Sequence, residues 1–413
     1  MRILIIGAGV AGCIVARQLA RLDGIEVTCI ERVSADDHAE AGTGLNIGPN
    51  AVRSLQALDP ALANAITATS YPWEDWTVST TAGTPLLKLS VPDLGGVAGW
   101  RIRWSELYRV LREAAGDRIE YGCTVTEMAK SPTTSGKLEV QWTRAGETTC
   151  LHDIDLIIAA DGRYSNVRRK FSGEPAIRQI GVAISRVLVP DIGASSIDDY
   201  EQWFCGSNRL LAFRVPPGHI YIACAVPIDS NEVLPEHVKS PEFLRAAFTP
   251  TSGELAPKAL WLVDTVCDHA AQTHWARMQE HDVLYADKLA PVMYLGDAAH
   301  GMVPTLGQGA TQAIEDAAIA AETISRMWLD GDKSTRQWLT TVDERRRDRI
   351  DFVMRFSLEA TDTMLAGSDP VSGTLRKAEP AFIEKLKRLY CDVPALLDTN
   401  RTAKAPASAG TMS

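Results

Sequence analysis

The stretch RILIIGAGVAG, residues 2–12, places a continuous apolar run directly before a G-x-G-x-x-G motif. A run of this kind is typical of a parallel strand that is buried on both faces. A helix is predicted to follow through Ala20, and a second strand is predicted to end at Glu31. The motif therefore lies between a strand and a helix, with an acidic residue about twenty positions further on, which indicates a dinucleotide-binding βαβ unit.

Each glycine of this motif has its own physical purpose. Gly7 permits a tight turn, Gly9 lets the backbone approach a pyrophosphate, and Gly12 allows the helix to pack closely on the strand. The phosphates are expected at the positive N-terminal end of the helix, and Glu31 is expected to accept hydrogen bonds from the hydroxyls of an adenosine ribose. The predicted cofactor contacts of this segment are Gly7, Gly9, Ala11, Gly12, Glu31 and Arg32.

Two further motifs narrow the choice of cofactor. They are DGRYSNVR at 161–168 and GDAAH at 296–300, the latter continuing through Pro304 to GQGAT at 307–311. Each follows an apolar strand, so Asp161 and Asp297 are expected at the carboxyl ends of sheet strands, where open α/β sheets bind their ligands. An NAD-dependent dehydrogenase that used the first motif alone would leave both unexplained. The motifs therefore favour bound FAD over NAD.

Composition indicates a two-domain globular protein. The chain has 413 residues, a length that suits two packed domains. Hydrophobic residues make up 46% and charged residues 23%, which is typical of a globular protein and not of a fibrous or disordered one. The net charge of −10 disfavours a nucleic-acid or anionic-membrane surface, since both need clustered Lys and Arg. One basic run, Arg345 to Arg347 with Arg349, is flanked by acidic residues and predicts a solvated, salt-bridged helix face.

Cysteine usage and the N-terminus bear on the compartment. Eight cysteines are widely spread with no C-x-x-C pair and no zinc-like spacing, which predicts reduced thiols and no metal site. The chain begins directly with the strand Arg2 to Ile6, without a signal-like segment, and no apolar run reaches membrane-spanning length. We therefore expect a cytoplasmic protein.

The remaining pattern predicts an α/β fold with a second, mixed sheet. Helices are expected at Asn50 to Leu58 and Glu106 to Ala115, a buried strand at Leu151 to Ala160, and β-rich stretches at 73–89 and 177–228. We expect a discontinuous FAD-binding domain (1–72, 99–175 and 280–365), a substrate domain (73–98 and 176–279), a C-terminal helical segment (366–400) and a disordered tail (401–413).

With its three motifs in this order across most of the chain, the sequence resembles the group A FAD-dependent monooxygenases, the para-hydroxybenzoate hydroxylase-like family. The resemblance implies a Rossmann-like FAD-binding domain of the GR2 type, an interleaved mixed β-sheet substrate domain and C-terminal helices. It implies that Asp297 bonds a ribitol hydroxyl of FAD and that Asp161 and Gly162 lie near the pyrophosphate and serve NAD(P)H use.

The same resemblance suggests which residues surround the flavin ring. The loop 42–51 is expected over the ring, with Leu45 and Asn46 nearest to it, and Pro304 is expected on the substrate side. Bare backbone N–H groups at the start of the helix after Pro304 would stabilise the negative charge of reduced flavin. The expected contacts there are Gly296, Asp297, Pro304, Gly307, Gly309, Ala310 and Thr311.

One family position departs from the pattern. The family has an FAD-contacting arginine in an R-x-x-L motif before a helix, whereas this chain has Trp104 at that spacing before Leu107. Arg103, or alternatively Arg101, is expected to substitute for it. His300 of the G-D motif is expected to be structural.

The family resemblance implies a single-component aromatic-ring hydroxylase that uses NAD(P)H and O2 through a flavin C4a-hydroperoxide. The expected substrate is an electron-rich ring, a phenol or hydroxypyridine that carries a carboxylate. In the mixed sheet, Arg209 and Tyr221 are the preferred pair for binding it, because a cation and an aromatic wall suit a flat anion. His219 is a further candidate, as a base, and Pro304 would line the same site.

Three alternatives remain open at the level of sequence. A flavoenzyme of the same fold could epoxidise an alkene or act on a larger polycyclic substrate. A plain NAD-dependent dehydrogenase would use the first motif alone. A non-catalytic FAD-binding partner protein would keep the fold without turnover. The choice between NADH and NADPH also stays open, and a homodimer is an expectation from the family.

Overall fold

The computed structural model describes residues 1–35, 43–193, 196–230 and 233–394. The expected tail at 401–413 and the first residue of the loop 42–51 lie outside these ranges.

The described residues form strands and helices that we number in chain order. The strands are β1 (Arg2–Ile6), β2 (Glu26–Glu31), β3 (Gly44–Ile47), β4 (Tyr71–Trp73), β5 (Asp75–Thr80), β6 (Pro85–Ser90), β7 (Gly99–Arg103), β8 (Ile119–Tyr121), β9 (Thr124–Lys130), β10 (Leu138–Arg144), β11 (Glu147–Ile154), β12 (Leu156–Ala159), β13 (Ile177–Pro190), β14 (Tyr200–Cys205), β15 (Asn208–Val215), β16 (His219–Pro227), β17 (His274–His281) and β18 (Val292–Tyr294). The helices are α1 (Val10–Leu19), α2 (Pro49–Leu58), α3 (Pro60–Ala68), α4 (Val91–Gly95), α5 (Trp104–Ala115), α6 (Asn166–Ser172), α7 (Pro241–Phe248), α8 (Pro257–Asp268), α9 (Asp297–His300), α10 (Gln308–Leu329), α11 (Thr335–Glu359), α12 (Pro370–Arg376) and α13 (Pro380–Cys391).

A parallel sheet with the order β18-β12-β1-β2-β8 forms the first layer of the core. The apolar run of β1 lies in its middle, and Ile3, Leu4 and Ile5 are fully buried. Helices α1 and α10 pack against each other beside this sheet. The three sequence motifs follow β1, β12 and β18, so all three meet at the carboxyl edge of one sheet. The predicted α/β fold is confirmed.

A mixed sheet forms the second large layer. Its described strands have the order β17-β13-β16-β15-β14-β5-β6, in which β14 and β5 run parallel and the other neighbours run antiparallel. They come from two separate stretches of chain, 75–90 and 177–281. The small sheet β3-β7-β4 pairs the loop around Gly44 with Arg103. It thereby holds the chain segment before α2 close to the cavity described below.

The predicted single strand from Leu151 to Ala160 is wrong in its extent. Strand β11 ends at Ile154 and pairs antiparallel with β10, while β12 begins at Leu156 and pairs parallel with β1. Asp155 separates them, and its carboxylate accepts a hydrogen bond from the backbone N–H of Arg2 at 2.7 Å. The change of sheet falls within the segment LHDIDLIIAA: β11 is mostly exposed up to Ile154, whereas all four residues of β12 are buried.

The predicted solvated, salt-bridged face at Arg345 to Arg349 is wrong for Arg346 and Arg349, although Arg347 is half-exposed and pairs with Asp343 as predicted. Arg346 is fully buried and Arg349 is nearly so. Arg346 donates to Glu315 at 2.8 Å and to Asp316 at 2.7 Å, and Arg349 donates to Glu315 at 2.9 Å. Burial alone would raise the pKa of Glu315, but Arg349 and Arg346 lower that pKa to about 2. The two arginines therefore fasten α11 to α10.

Candidate active site

A cavity of about 990 Å³ extends from the glycine-rich loop after β1 to one face of the mixed sheet. Most of the predicted site residues lie on its wall. These are Gly7, Gly9, Ala11, Glu31, Arg32, Leu45, Asn46, Asp161, Gly296, Asp297, Pro304, Gly307, Gly309, Ala310, Arg209 and Tyr221. Gly12, Arg103, Thr311 and His219 are not among its lining residues.

The glycine-rich loop leaves room for a ligand where the motif requires it. Gly7 has a positive φ of 102°, and a Cβ there would lie 2.4 Å from the carbonyl oxygen of Ala160. A Cβ on Gly12 would lie 1.9 Å from the Gly7 oxygen, so Gly12 serves the packing of α1 and does not touch the cavity. A Cβ on Gly9 would lie 3.9 Å from its nearest neighbour, the carbonyl oxygen of Ala160. The open side of the turn thus faces the cavity.

Helix α1 presents free backbone donors to this space. Its N-cap is Gly9, no side chain caps the helix, and no acidic residue lies in its first turn. The first N–H groups of a helix lack internal partners and attract anions. Glu31 lies beside the loop, where it accepts hydrogen bonds from the N–H groups of Ala8 at 2.7 Å and Val33 at 3.1 Å. These contacts hold its carboxylate at the cavity wall.

Helix α10 presents a second uncapped N-terminus. Its N-cap, Gly307, has the left-handed conformation, and no side chain caps the helix. A Cβ on Gly307 would lie 2.5 Å from Asn46 Nδ2, so the glycine makes room for Asn46. Gly309 and Ala310 of the first turn line the cavity.

Thr311 acts from behind that turn. Its hydroxyl donates to the carbonyl of Gly307 at 3.0 Å and accepts from the N–H of Gly48 at 3.0 Å. Thr311 is fully buried and joins α10 to the segment before α2. Thr311 therefore stabilises the N-terminus of α10 from behind and does not line the cavity.

The two aspartates of the later motifs lie at the same edge of the parallel sheet. Asp161 accepts from the N–H of Val167 at 3.2 Å, its other carboxylate oxygen is buried without a partner in the described residues, and burial raises its pKa. Asp297 lies 3.7 Å from Arg163, which donates to the carbonyl of Met302 at 3.1 Å. Arg163 therefore links the D-G and G-D motifs.

His300 lies below this edge and takes no part in the cavity. It is fully buried, and its Nε2 contacts Asp316 at 2.6 Å. Burial alone would raise the pKa of Asp316, but His300 and Arg346 hold it well below its ordinary value. Tyr285 donates to the same carboxylate at 2.8 Å. His300 therefore has the structural position that its motif predicts.

The far end of the cavity is one face of the mixed sheet. Alternate residues of four neighbouring strands line it: Ile184 and Arg186 on β13, Tyr200 on β14, Arg209, Leu211 and Phe213 on β15, and Tyr221 and Ala223 on β16. The register places Phe213 opposite Tyr221. Ring centroids are 5.6 Å apart for Tyr200 and Phe213 and 4.7 Å apart for Phe213 and Tyr221. Together these rings form an aromatic wall.

Arg209 is the buried cation of this end. Its side chain is 7% exposed, and its Nε has no partner in the described residues. Burial lowers the pKa of Arg209 and raises the pKa of Tyr221 to about 12. Tyr221 is therefore a protonated hydroxyl at neutral pH. His219 is two positions earlier on β16, but its ring bonds the carbonyl of Pro217, and the structure does not bring it to the cavity.

The expected arginine substitutes for the family's R-x-x-L position lie elsewhere. Arg101 belongs to β7 and is buried, and it donates to the carbonyl of Pro72 at 2.9 Å and pairs with Asp199 at 3.2 Å. Arg103 is the last residue of β7 and occupies the N-cap position of α5, and it does not line the cavity. A different residue of α5, Arg112, lines the cavity instead.

Sequence reasoning missed Arg112, Arg186 and Tyr200, all of which line the cavity. Arg186 lies two positions after Ile184 on β13. Because successive side chains of a strand point to opposite faces, these two residues are predicted to share one face. Which face meets the cavity depends on the pairing of Arg186 with Ala223, which the sequence does not show.

Four buried polar atoms on this wall have no partner in the described residues: Asn46 Nδ2, Arg112 Nη1, one oxygen of Asp161, and Arg209 Nε. Most buried polar groups are satisfied, and other unpartnered atoms lie away from the cavity, but four of them around one cavity fit a site that a ligand completes. The free N-termini of α1 and α10 suit the pyrophosphate and the anionic ring edge of FAD, and Asp297 suits its ribitol hydroxyls. The residues present therefore fit this cofactor.

Fold and cavity together define a flavoprotein, and comparison with known proteins agrees. A family model described as "FAD binding domain" matches residues 1–191 and 254–357. The chain is 29% identical to salicylate hydroxylase of Pseudomonas putida, over 90% of this chain and 88% of that protein. It is 28% identical to 2-heptyl-3-hydroxy-4(1H)-quinolone synthase of Pseudomonas aeruginosa, over 86% of this chain and 88% of that protein.

The fold also matches the crystal structure of Klebsiella pneumoniae HpxO complexed with FAD and uric acid. The TM-score is 0.75 at 20% identity, over 94% of this chain and 93% of that chain. The chain belongs to the FAD binding domain family, as a group A FAD-dependent aromatic hydroxylase. It is thus an FAD-dependent monooxygenase, of a family whose usual co-substrate is NAD(P)H. Among the described helices, none is long and apolar enough to span a membrane.

Proposed function

We propose that this monooxygenase hydroxylates a small anionic aromatic ring, a phenol or hydroxypyridine that carries a carboxylate. The observation that supports this most is the buried guanidinium of Arg209, which has no ion-pair partner in the described residues and faces the cavity beside an aromatic wall. A buried charge is costly unless it is paired. A substrate carboxylate would provide the pairing, with the two-pronged geometry that guanidinium favours.

The walls suit a flat ring. Tyr200, Phe213 and Tyr221 form one side, and Pro304 and Met302 also line the cavity. The protonated hydroxyl of Tyr221 would donate a hydrogen bond to a ring oxygen and favour its anionic form. An ionised ring oxygen makes the neighbouring carbon electron-rich, as the hydroxylation of a phenol requires.

The cofactor side would be held by the first part of the cavity. We assign the adenosine ribose to Glu31, the pyrophosphate to the N-terminus of α1, the ribitol to Asp297 and the ring edge to the N-terminus of α10. FAD held by these residues would supply the redox chemistry that couples NAD(P)H and O2 to hydroxylation of the ring. The free N–H groups of Gly309 and Ala310 would stabilise negative charge on the reduced cofactor.

The test compares substrates that differ by one group. Holoenzyme oxidises NADH or NADPH in air in the presence of matched rings: hydroxybenzoates, hydroxypyridine carboxylates, their methyl esters and the parent phenols. We expect a carboxylated ring to stimulate oxidation with product formation, and its ester to be weak. Arg209→Gln should raise the KM for that acid roughly 10- to 100-fold, the value of a lost charged hydrogen bond.

Arg214→Gln is the matched control, because Arg214 lies on the same strand but pairs with Asp191 at 2.7 Å and does not line the cavity. Equal KM changes in both variants would contradict the assignment. Stimulation by an uncharged alkyl quinolone or an alkene, with none by the acids, would instead support the larger-substrate or epoxidase alternative, for which the 28% identical quinolone synthase gives a reason.

We also propose a cytoplasmic enzyme that acts on small molecules, without nucleic-acid or membrane partners, as a homodimer. All eight cysteines lie in the described residues, and each is a free thiol there, which suits a reducing compartment. The net charge of −10 disfavours anionic partners. Light scattering of the purified holoenzyme would determine its mass and so test the dimer.

A further inference from the structure

The helix α5 departs from its family at the position where an arginine would contact FAD. Trp104 occupies that position, and neither Arg101 nor Arg103 lines the cavity. Arg112 lies eight residues beyond Trp104, about two helical turns further along α5, and it does line the cavity.

The guanidinium of Arg112 is buried and poorly paired. Its side chain is 8% exposed, and its Nη1 has no partner in the described residues. It is stacked between two rings, 5.1 Å from the centroid of Tyr108 and 5.6 Å from that of Tyr121. Its hydrogen bond in the described residues is a long one, from Nε to the carbonyl of Ala8 at 3.4 Å. No described carboxylate forms an ion pair with it.

That contact with Ala8 places the charge beside the glycine-rich loop. The loop ends in the uncapped N-terminus of α1, which attracts phosphate. Glu31, the nearby carboxylate, is already held by the backbone N–H groups of Ala8 and Val33. A buried cation left unpaired next to a phosphate-binding turn needs an anion from a ligand.

The other cationic side chains near the cavity are less suited to bind a phosphate beside the glycine-rich loop. Arg32 lines the cavity but is exposed, and an exposed charge contributes little. Arg163 lies beside Asp297 and Met302. Arg186 and Arg209 belong to the sheet face at the far end.

We propose that Arg112 binds the pyrophosphate of FAD in this chain and takes over the role of the arginine that Trp104 has replaced. The two tyrosines orient the guanidinium, and the α1 N-terminus supplies the neighbouring N–H donors. The cation that contacts FAD would thus lie about two turns further along α5 than the family position that Trp104 occupies.

The test uses holoenzyme variants and two readouts. Arg112→Met keeps the length and packing of the side chain without its charge, Arg112→Lys keeps the charge without the planar donor fork, and Arg103→Gln is the control on the neighbouring residue of the same segment. FAD release on dilution, followed by flavin fluorescence, gives the Kd. Phosphorus NMR of the bound FAD reports directly on the pyrophosphate.

We expect R112M to raise the Kd for FAD roughly 10- to 100-fold, to lessen the salt dependence of release, and to shift the phosphorus resonances. R112K should lie between R112M and the wild type, and R103Q should match the wild type in both readouts. Wild-type affinity in R112M would overturn the proposal. So would weaker binding with unchanged phosphorus resonances, since that result assigns Arg112 a packing role between Tyr108 and Tyr121. If R112M does not fold, unchanged phosphorus resonances in R112K would overturn it as well.

Discussion

At the residue scale, the cavity wall is distinguished by buried polar atoms that have no partner in the described residues. Asn46, Arg112, Asp161 and Arg209 each bring an unpartnered polar atom to one cavity. Leaving such an atom unsatisfied costs about 1–3 kcal/mol. Four of them on one wall are consistent with a cofactor at one end and an anionic ring at the other.

The state of Tyr221 leads to a prediction about pH. Burial raises the pKa of Tyr221 to about 12, so its hydroxyl keeps its proton as the pH passes the ordinary tyrosine value of 10.0. Hydrogen-bond donation to the substrate should therefore persist through that range. Tyr221→Phe should raise the KM for the ring substrate roughly 2- to 10-fold, the value of one neutral hydrogen bond.

The KM of wild type and Y221F is measured across the alkaline range with the same substrate. We expect no transition near pH 10 that is specific to the wild type. A rise in KM near pH 10 that Y221F lacks would show that Tyr221 loses its proton at the ordinary tyrosine value, and it would contradict the raised pKa. Equal KM values for the two proteins at neutral pH would contradict the role of a hydrogen-bond donor.

The sequence alone could not predict which arginine side chains reach the cavity. The choice between Arg101 and Arg103 rested on nearness in sequence to the missing family arginine. The direction of a side chain on β7 or α5 depends on what packs around it: Asp199 engages Arg101, and Tyr108 and Tyr121 turn Arg112 inward. Such partners are distant in sequence, so local patterns do not reveal them.

At the scale of elements, the βαβ unit was the most predictable part. Strand β1, the glycine motif, α1 and β2 are contiguous, and each is specified by its own residues. The split of Leu151 to Ala160 into β11 and β12 was not predictable, because it depends on two different sheets. Arg209 and Tyr221 both line the cavity, because a short hairpin joins β15 to β16 and places them on one face of the sheet. They are not direct partners, since the register sets Arg209 opposite Ala225 and Tyr221 opposite Phe213.

The junction of α10 and α11 yields a prediction about stability. Arg346 is fully buried between Glu315 and Asp316, so Arg346→Met should leave both carboxylates short of a counter-charge. Removal of one partner from a buried ion network costs about 3–5 kcal/mol in the free energy of unfolding. Urea unfolding of the holoenzyme measures this loss.

Arg355→Gln on the same helix is the control. Arg355 is exposed and donates to the carbonyl of Asp351, so its replacement should change the free energy of unfolding by less than about 0.5 kcal/mol. Equal stability of R346M and R355Q would contradict the view that buried charges fasten these helices.

At the scale of the whole molecule, one cavity joins two layers of different origin. The parallel sheet supplies three loops at its carboxyl edge, and the mixed sheet supplies an aromatic face with Arg209. The first layer has the features that FAD needs, and the second has those of a ring-binding site. Sequence predicted the first layer from three local motifs and the second from the β-rich stretches 73–89 and 177–228. It could not determine which residues of the second layer face the first.

The most direct test of the central claim follows oxygen atoms. The purified holoenzyme, with its flavin spectrum recorded, is given NADH or NADPH, a carboxylated phenol or hydroxypyridine from the panel, and ¹⁸O2, and the product is analysed by mass spectrometry. The account predicts bound flavin, substrate-stimulated oxidation of the nicotinamide, and one ¹⁸O atom in a new ring hydroxyl. Bound flavin with no ring compound that stimulates oxidation, or a product without ¹⁸O, would contradict it.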